Sequence, residues 1–170
     1  MVTASNLFYN QGYNLTGVNQ IIAEANVAKA TLFQHFPTKE DLCVSYLTEK
    51  NHKWTASLKS FTEAKEKNFD KAIAAFDFLM ENAPNENFRG CSFLNILSEI
   101  PNDNTKIVNE VSKNKSNLRN LFKIWLLEHP NKSVGDMAYI LFEGAIIESQ
   151  VQRNIWPIQT AKKALIELIN

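Results

Sequence analysis

Two cysteines, five glycines and no net charge in 170 residues exclude several kinds of protein before any motif is sought. Cys43 and Cys91 stand far apart without CxxC spacing, so neither a disulfide framework nor a zinc site is expected, and both read as small core or pocket residues. The few glycines are scattered and form no loop able to cradle a phosphate. His35, His52 and His129 are also dispersed, and none belongs to an HxxE, HExxH or Cys–His motif. Carboxylate pairs such as Glu143 with Glu148, or Glu99 with Asp103, are sparse helical charges of the kind that water normally covers. No enzymatic activity, cofactor or metal is therefore expected. No apolar run approaches the ~20 residues of a membrane helix, and no basic start leads into an apolar signal segment. A cytoplasmic location without a membrane partner follows as the default.

What the chain does have is helical periodicity. Hydrophobic residues make up 45% of it and aromatics 11%, enough for a substantial core, and no segment sustains the two-residue alternation of a strand. An all-α fold is expected. Beyond residue 42 the spacing predicts a long helix with Leu42, Tyr46, Leu47, Trp54, Leu58 and Phe61 on its apolar side. A second carries Phe69, Ile73, Phe76, Leu79 and Met80 and ends near Ala83-Pro84, and a shorter one runs from Gly90 to Ile100. Asp103 or Asn104 then caps a helix bearing Ile107, Val111, Leu118, Phe122 and Trp125, with Pro130 beyond its end. Ser133-Val134-Gly135-Asp136 has the capping-box form ahead of an apolar helix to about Gln152, and Pro157 suits the first position of the last helix.

Residues 16–42, TGVNQIIAEANVAKATLFQHFPTKEDL, carry the most information. Thr16 is a good N-cap for a helix whose apolar positions are Val18, Ile21, Ile22 and Ala25. Asn26 ends it in a left-handed conformation, for which Asn is the usual substitute for Gly. Val27 is expected to bury in the corner of the turn, and Ala28 to Phe36 form a second helix with Leu32 and Phe36 directed inward. Lys29, Thr31, Gln34 and His35 are left outside: a cation, a hydroxyl, an amide and an imidazole suited to phosphates and base edges. Pro37 closes that helix, and Thr38-Lys39-Glu40-Asp41 opens the next as a capping box. Two short helices, a tight turn and a third capped helix are the minimum for placing one helix in a major groove.

On these residues the chain resembles the tetracycline-repressor (TetR) family of bacterial transcription regulators. Leu7-Phe8, Gly12-Tyr13, Thr16, Ile21, Val27, Lys29, Thr31-Leu32-Phe33, His35-Phe36 and Thr38 through Leu42 fall on the family pattern in order and without gaps. Gly90-Cys91 with Asn95 and Glu99, and Phe142-Glu143-Gly144-Ala145, resemble a common C-terminal domain of the same family. Asn26 replaces the usual turn glycine, Ala28 and Ala30 stand where many members have Ser and Gly, and Phe33 replaces a tyrosine whose hydroxyl meets a phosphate. The first helix begins almost at residue 2, where relatives carry a further turn or two and often a basic arm, so a shortened N-terminus is expected.

The resemblance implies a DNA-binding domain over residues 1–46 and a helical effector-binding and dimerisation domain over 47–170. Its DNA-binding set comprises Thr16, Asn19, Lys29, Ala30, Thr31, Phe33, Gln34, His35 and Lys39. A ligand pocket for a small, largely apolar effector with a polar end is expected among Trp54, Phe61, Phe76, Cys91, Phe93, Asn95, Phe122, Trp125, Phe142, Glu143 and Gln150. Ile140, Gly144, Ala145, Ile147, Val151, Ile158, Ala161, Leu165 and Leu168 lie on the apolar arcs of the last two helices. Family members build a four-helix homodimer interface there, and two copies read a palindromic operator. The expected function is a transcriptional repressor released from operator DNA by a ligand. Zero net charge weighs against tight non-specific DNA binding and keeps open a helical protein-binding module that has lost DNA; a helical enzyme is the remoter alternative.

Overall fold

The computed structural model describes residues 1–101 and 103–170. Among them are nine helices and no strand: α1 (Val2–Gln11), α2 (Val18–Ala25), α3 (Lys29–His35), α4 (Lys39–Glu63), α5 (Asn68–Asn85), α6 (Ser92–Glu99), α7 (Thr105–Trp125), α8 (Val134–Gln152) and α9 (Trp156–Ile169). The fold is all-α, as the periodicity requires. None of these helices is long and apolar enough to cross a membrane.

The helices assemble into two compact units, Met1–Lys53 with Ser92–Asn114, and Trp54–Cys91 with Lys115–Asn170, so that α4 and α7 contribute to both. In the first unit Ala4, Leu7, Phe8, Tyr13, Ile21, Leu42, Tyr46 and Leu47 are buried. Phe8 lies between the rings of Tyr13 and Tyr46, with centroids 5.8 and 5.7 Å away. The start of α7 is tied along α4 by three polar contacts: Lys106 with Asp41 at 2.6 Å, the Thr48 hydroxyl to Glu110 at 3.1 Å, and the Asn114 amide to Asn51 at 2.6 Å. Residues 106, 110 and 114 are four apart and therefore share one helix face.

The second unit is built on aromatic packing. Phe76, Phe122 and Phe142 are fully buried and meet at 5.1–6.3 Å, Trp125 stands edge-on to Phe122, and Phe78 is flanked by Trp54 and Phe61. Leu58, Leu118, Val134, Ala138, Ile158, Ala161 and Leu165 complete this core. Gly135 permits α8 to approach α7, because a Cβ there would stand 2.7 Å from the Lys123 Cα.

Local signals read from the sequence were correct where one side chain and its neighbouring backbone decide them. Asn26 adopts φ 51°, ψ 50°. The Thr38 hydroxyl accepts the Asp41 N–H at 3.1 Å while the Asp41 carboxylate accepts the Thr38 N–H at 3.1 Å, a reciprocal capping box. Asn104 accepts the Ile107 N–H at 3.3 Å. Three expectations fail. Gly17, not Thr16, is the N-cap of α2, since the Thr16 hydroxyl is buried and donates to the Gly12 carbonyl at 2.6 Å. Val27 is 37% exposed rather than buried in the turn. Ser133 makes no capping bond, standing at helical φ −84°, ψ −9° instead of the extended N-cap conformation, and the Asp136 carboxylate is held by Arg119 through paired contacts of 2.8 and 2.9 Å.

Candidate nucleic-acid interface

Helix α3 is short, and its apolar residues decide which way it faces. Leu32, Phe33 and Phe36 are half-buried, leaving Lys29, Ala30, Thr31, Gln34 and His35 exposed. Ala30 and Gln34 are four residues apart, so the amide of Gln34 projects beside a position with almost no side chain. The left-handed Asn26 fixes the angle between α2 and α3. Asn19 is exposed near the start of α2. Phe33 supplies no hydroxyl; its ring lies 6.0 Å below the Lys29 ammonium.

Lys39 occupies the first turn of α4 with its ammonium 4.2 Å from the centre of the Tyr13 ring. Burial lowers its pKa, while Cys43, Glu40 and Glu99 act in the opposite direction. The same partial burial, with Glu40 and Cys43 nearby, pushes the Tyr13 phenol up to about 12, so it is neutral at physiological pH. The N-terminal end of the α4 dipole lies beside this lysine, a combination that suits a phosphate. Thr16 belongs elsewhere: it is fully buried and its hydroxyl is engaged within the chain, so its side chain is withdrawn from the surface.

Charge across this unit is balanced, with six lysines and seven carboxylates in residues 1–53 and 92–114. Lys53 is paired with Glu49 at 2.6 Å and Lys106 with Asp41. Lysine placement, not a broad positive field, must therefore provide any attraction for phosphates.

The residues expected to form a pocket divide between the units. Phe93 is buried and Asn95 half-buried on α6 of the first unit, whereas Trp54, Phe61, Phe76, Cys91, Phe122, Trp125, Phe142, Glu143 and Gln150 belong to the second. Most of those aromatics pack on each other as core. The polar residues do converge: the Lys115 ammonium lies 2.7 and 2.9 Å from the two Glu143 oxygens and 3.2 Å from the Cys91 sulfur. Burial opposes the charge on Lys115, but Cys91 and Glu143 together outweigh it and raise its pKa above the usual lysine value. Nearby Tyr139 is raised by burial and by the Glu143 carboxylate. Nothing in the sequence marks Lys115, since one lysine on an amphipathic helix carries no sign that it points inward.

The expected dimer residues also separate. Ala145, Ile158, Ala161 and Leu165 are buried in the chain's own core and are withdrawn from any interface. Ile140, Gly144, Ile147, Val151 and Leu168 are exposed, and Met137 joins them. Met137, Ile140, Gly144, Ile147 and Val151 follow alternating steps of three and four along one face of α8. Between α8 and α9 lies an open groove of about 740 Å³ lined by Met137, Ile140, Leu141, Ala164 and Leu168, with Ser133, Asp136 and Glu167 at its polar margin.

Comparison with known proteins agrees with this geometry. Residues 1–45 match the family described as "Bacterial regulatory proteins, tetR family". Over 47 residues the chain is 47% identical to the HTH-type transcriptional regulator YxaF of Bacillus subtilis, and over 51 residues 37% identical to the HTH-type transcriptional regulator QacR of Staphylococcus aureus. These stretches are 27% and 30% of this chain, and about a quarter of each relative's length, 25% and 27%. The fold is similar over a much longer span to the crystal structure of SCO4454, a TetR-family transcriptional regulator from Streptomyces coelicolor. There the TM-score is 0.88 at 23% identity, covering 99% of this chain and 85% of the other. Residues 1–45 thus match the N-terminal domain of the tetR family of bacterial regulatory proteins, and the fold of the whole chain is similar to that of the SCO4454 regulator.

Proposed function

We propose that the protein is a homodimeric transcriptional repressor that binds a palindromic operator and releases it on binding a small molecule in the C-terminal region. Residues 1–46 serve as the reading domain and 47–170 as the effector and dimerisation domain. The observation that carries this is α3, which presents Thr31, Gln34 and His35 to solvent, with Lys29 at its start and Lys39 on the adjoining capped helix. Two copies related by a twofold axis, joined through the exposed α8 stripe, would place two such helices about 34 Å apart or more on a palindrome. The Lys115–Glu143 pair is the polar handle for the effector, which releases DNA only if it binds the non-DNA-binding arrangement more tightly. A cytoplasmic location accompanies this function.

Gln34 can donate and accept, so it is assigned to base reading, whereas Lys39 neutralises a phosphate and carries little sequence information. Anisotropy titrations at several salt concentrations separate the two roles. Gln34→Ala should reduce the preference for operator over random DNA by about 1–3 kcal/mol if its contact is bidentate. Lys39→Ala should weaken binding to all DNA and flatten the salt dependence by roughly one phosphate contact. A chain that binds no duplex, while its partner proteins are captured through α3, would favour the protein-binding module suggested by the balanced charge of the first unit.

A further inference from the structure

We infer that Glu99, the last residue of α6, is a positioning residue for DNA recognition, holding the α1–α2 turn of the reading head from a segment far outside the first 45 residues. The inference rests on the DNA-binding function proposed above and names a part of it that the matched N-terminal domain does not contain.

Two bonds cross 85 residues of sequence to make this clamp. The Asn14 backbone N–H donates to the Glu99 carboxylate at 2.8 Å, and the Asn14 side-chain amide donates to the Glu99 carbonyl at 2.6 Å. One residue thus grips the turn with both its side chain and its backbone. The carboxylate also lies directly against Gly12, where an added Cβ would fall 2.4 Å from Oε1 and 2.8 Å from Oε2. Gly12 has φ +90°, so the turn requires glycine both for its backbone and for the approach of Glu99.

The clamped turn leads directly to the groups assigned to DNA. Thr16, whose hydroxyl donates to the Gly12 carbonyl, ends the turn just ahead of α2. Tyr13, between the two gripped residues, is the ring over which Lys39 lies. Displacing Glu99 therefore frees the turn that sets both the start of α2 and the seat of the phosphate-binding lysine. A turn without regular backbone pairing of its own gains more from such an external acceptor than a helix would.

The test uses the full chain and a duplex selected from random-sequence DNA by the wild-type protein. Glu99→Ala, Glu99→Gln and Gly12→Ala are compared for operator affinity, operator-over-random preference and amide exchange of residues 12–17, with active protein counted by stoichiometric titration. Glu99→Ala should speed exchange at Asn14 and weaken operator binding by about three- to tenfold, the size of one or two net hydrogen bonds, with a smaller loss on random DNA. Glu99→Gln keeps an acceptor and should stay within about twofold of wild type. Gly12→Ala should weaken binding at least as much as Glu99→Ala, because it adds backbone strain at φ +90° to the displaced carboxylate, and the double variant should be no weaker than Gly12→Ala alone. A loss caused only by unfolding would lower the active fraction and leave affinity and preference unchanged, and that result overturns the inference. So does Glu99→Ala with unchanged exchange at Asn14. If the wild-type chain selects no DNA, the proposed function fails, and the exchange measurement still decides whether the clamp exists.

Discussion

Lys115 and Glu143 form a charge pair with little access to water, their side chains being 16% and 12% exposed. Such a pair contributes little net stability relative to well-packed apolar residues, yet either member alone is costly because it leaves an unpaired charge inside. Lys115→Met should destabilise the chain by about 3 kcal/mol, the lower end for a buried pair because both groups retain some water contact. Combining it with Glu143→Leu should recover most of that loss. Urea denaturation of both single variants and the double variant measures this coupling, and losses that simply add in the double variant would show that the pair is not coupled. Leu165 makes a similar point in apolar chemistry. On an apolar arc it reads as an interface residue, but with no exposed surface it fills the core, and Leu165→Ala should cost about 2–5 kcal/mol.

Helix α4 begins at a junction of charges that makes its first turn pH-sensitive. The Asp41 carboxylate accepts from Lys106 at 2.6 Å and from the Thr38 hydroxyl at 2.7 Å, and these bonds, Lys106 foremost, hold its pKa below the ordinary aspartate value. A depressed carboxylate stabilises the folded state above its unfolded pKa of about 4, and that contribution is lost as pH falls through the lower, folded value. The stability difference between wild type and Asp41→Asn should therefore be constant from neutral pH down to about pH 5 and then shrink below about pH 4. Denaturation midpoints across that range check it; a difference that persisted at low pH would assign the effect to something other than the charge.

At the scale of the whole molecule, α8 has apolar residues on two opposite faces. Ala138, Phe142 and Ala145 pack into the chain, while Met137, Ile140, Ile147 and Val151 are 42%, 65%, 48% and 68% exposed. A helix apolar on both faces needs a second surface to cover it. Ile147→Asp should leave the subunit about as stable as before, since exposed substitutions typically change stability by no more than about 0.5 kcal/mol, and should convert dimers to monomers. Light scattering alongside a thermal melt distinguishes this from Leu165→Ala, which should lower the melting temperature. A wild-type chain that is monomeric at micromolar concentration would overturn the dimer and with it the two-headed reading of a palindrome.

The sequence alone determined the order of the helices, the left-handed Asn26, the Thr38–Asp41 box and the outward set on α3, because each depends on residues within about one helical turn of one another. It also supported the family through the motif of residues 16–42, whose spacing is itself local. Only the tertiary structure decided which apolar faces are spent on the chain's own core. A periodic stripe such as that of α9 has the same pattern whether it meets α5 and α8 or a second copy, so Ile158, Ala161 and Leu165 could not be told from an interface. Long-range polar pairing was equally hidden. Thr16 gave its hydroxyl to Gly12 instead of capping α2, Asp136 went to Arg119, Glu99 reached back to Asn14, and Lys115 turned inward to Glu143. Each choice rests on which donor stands within about 3 Å of which acceptor, and across tens of residues that distance is fixed by packing and not by spacing in the chain.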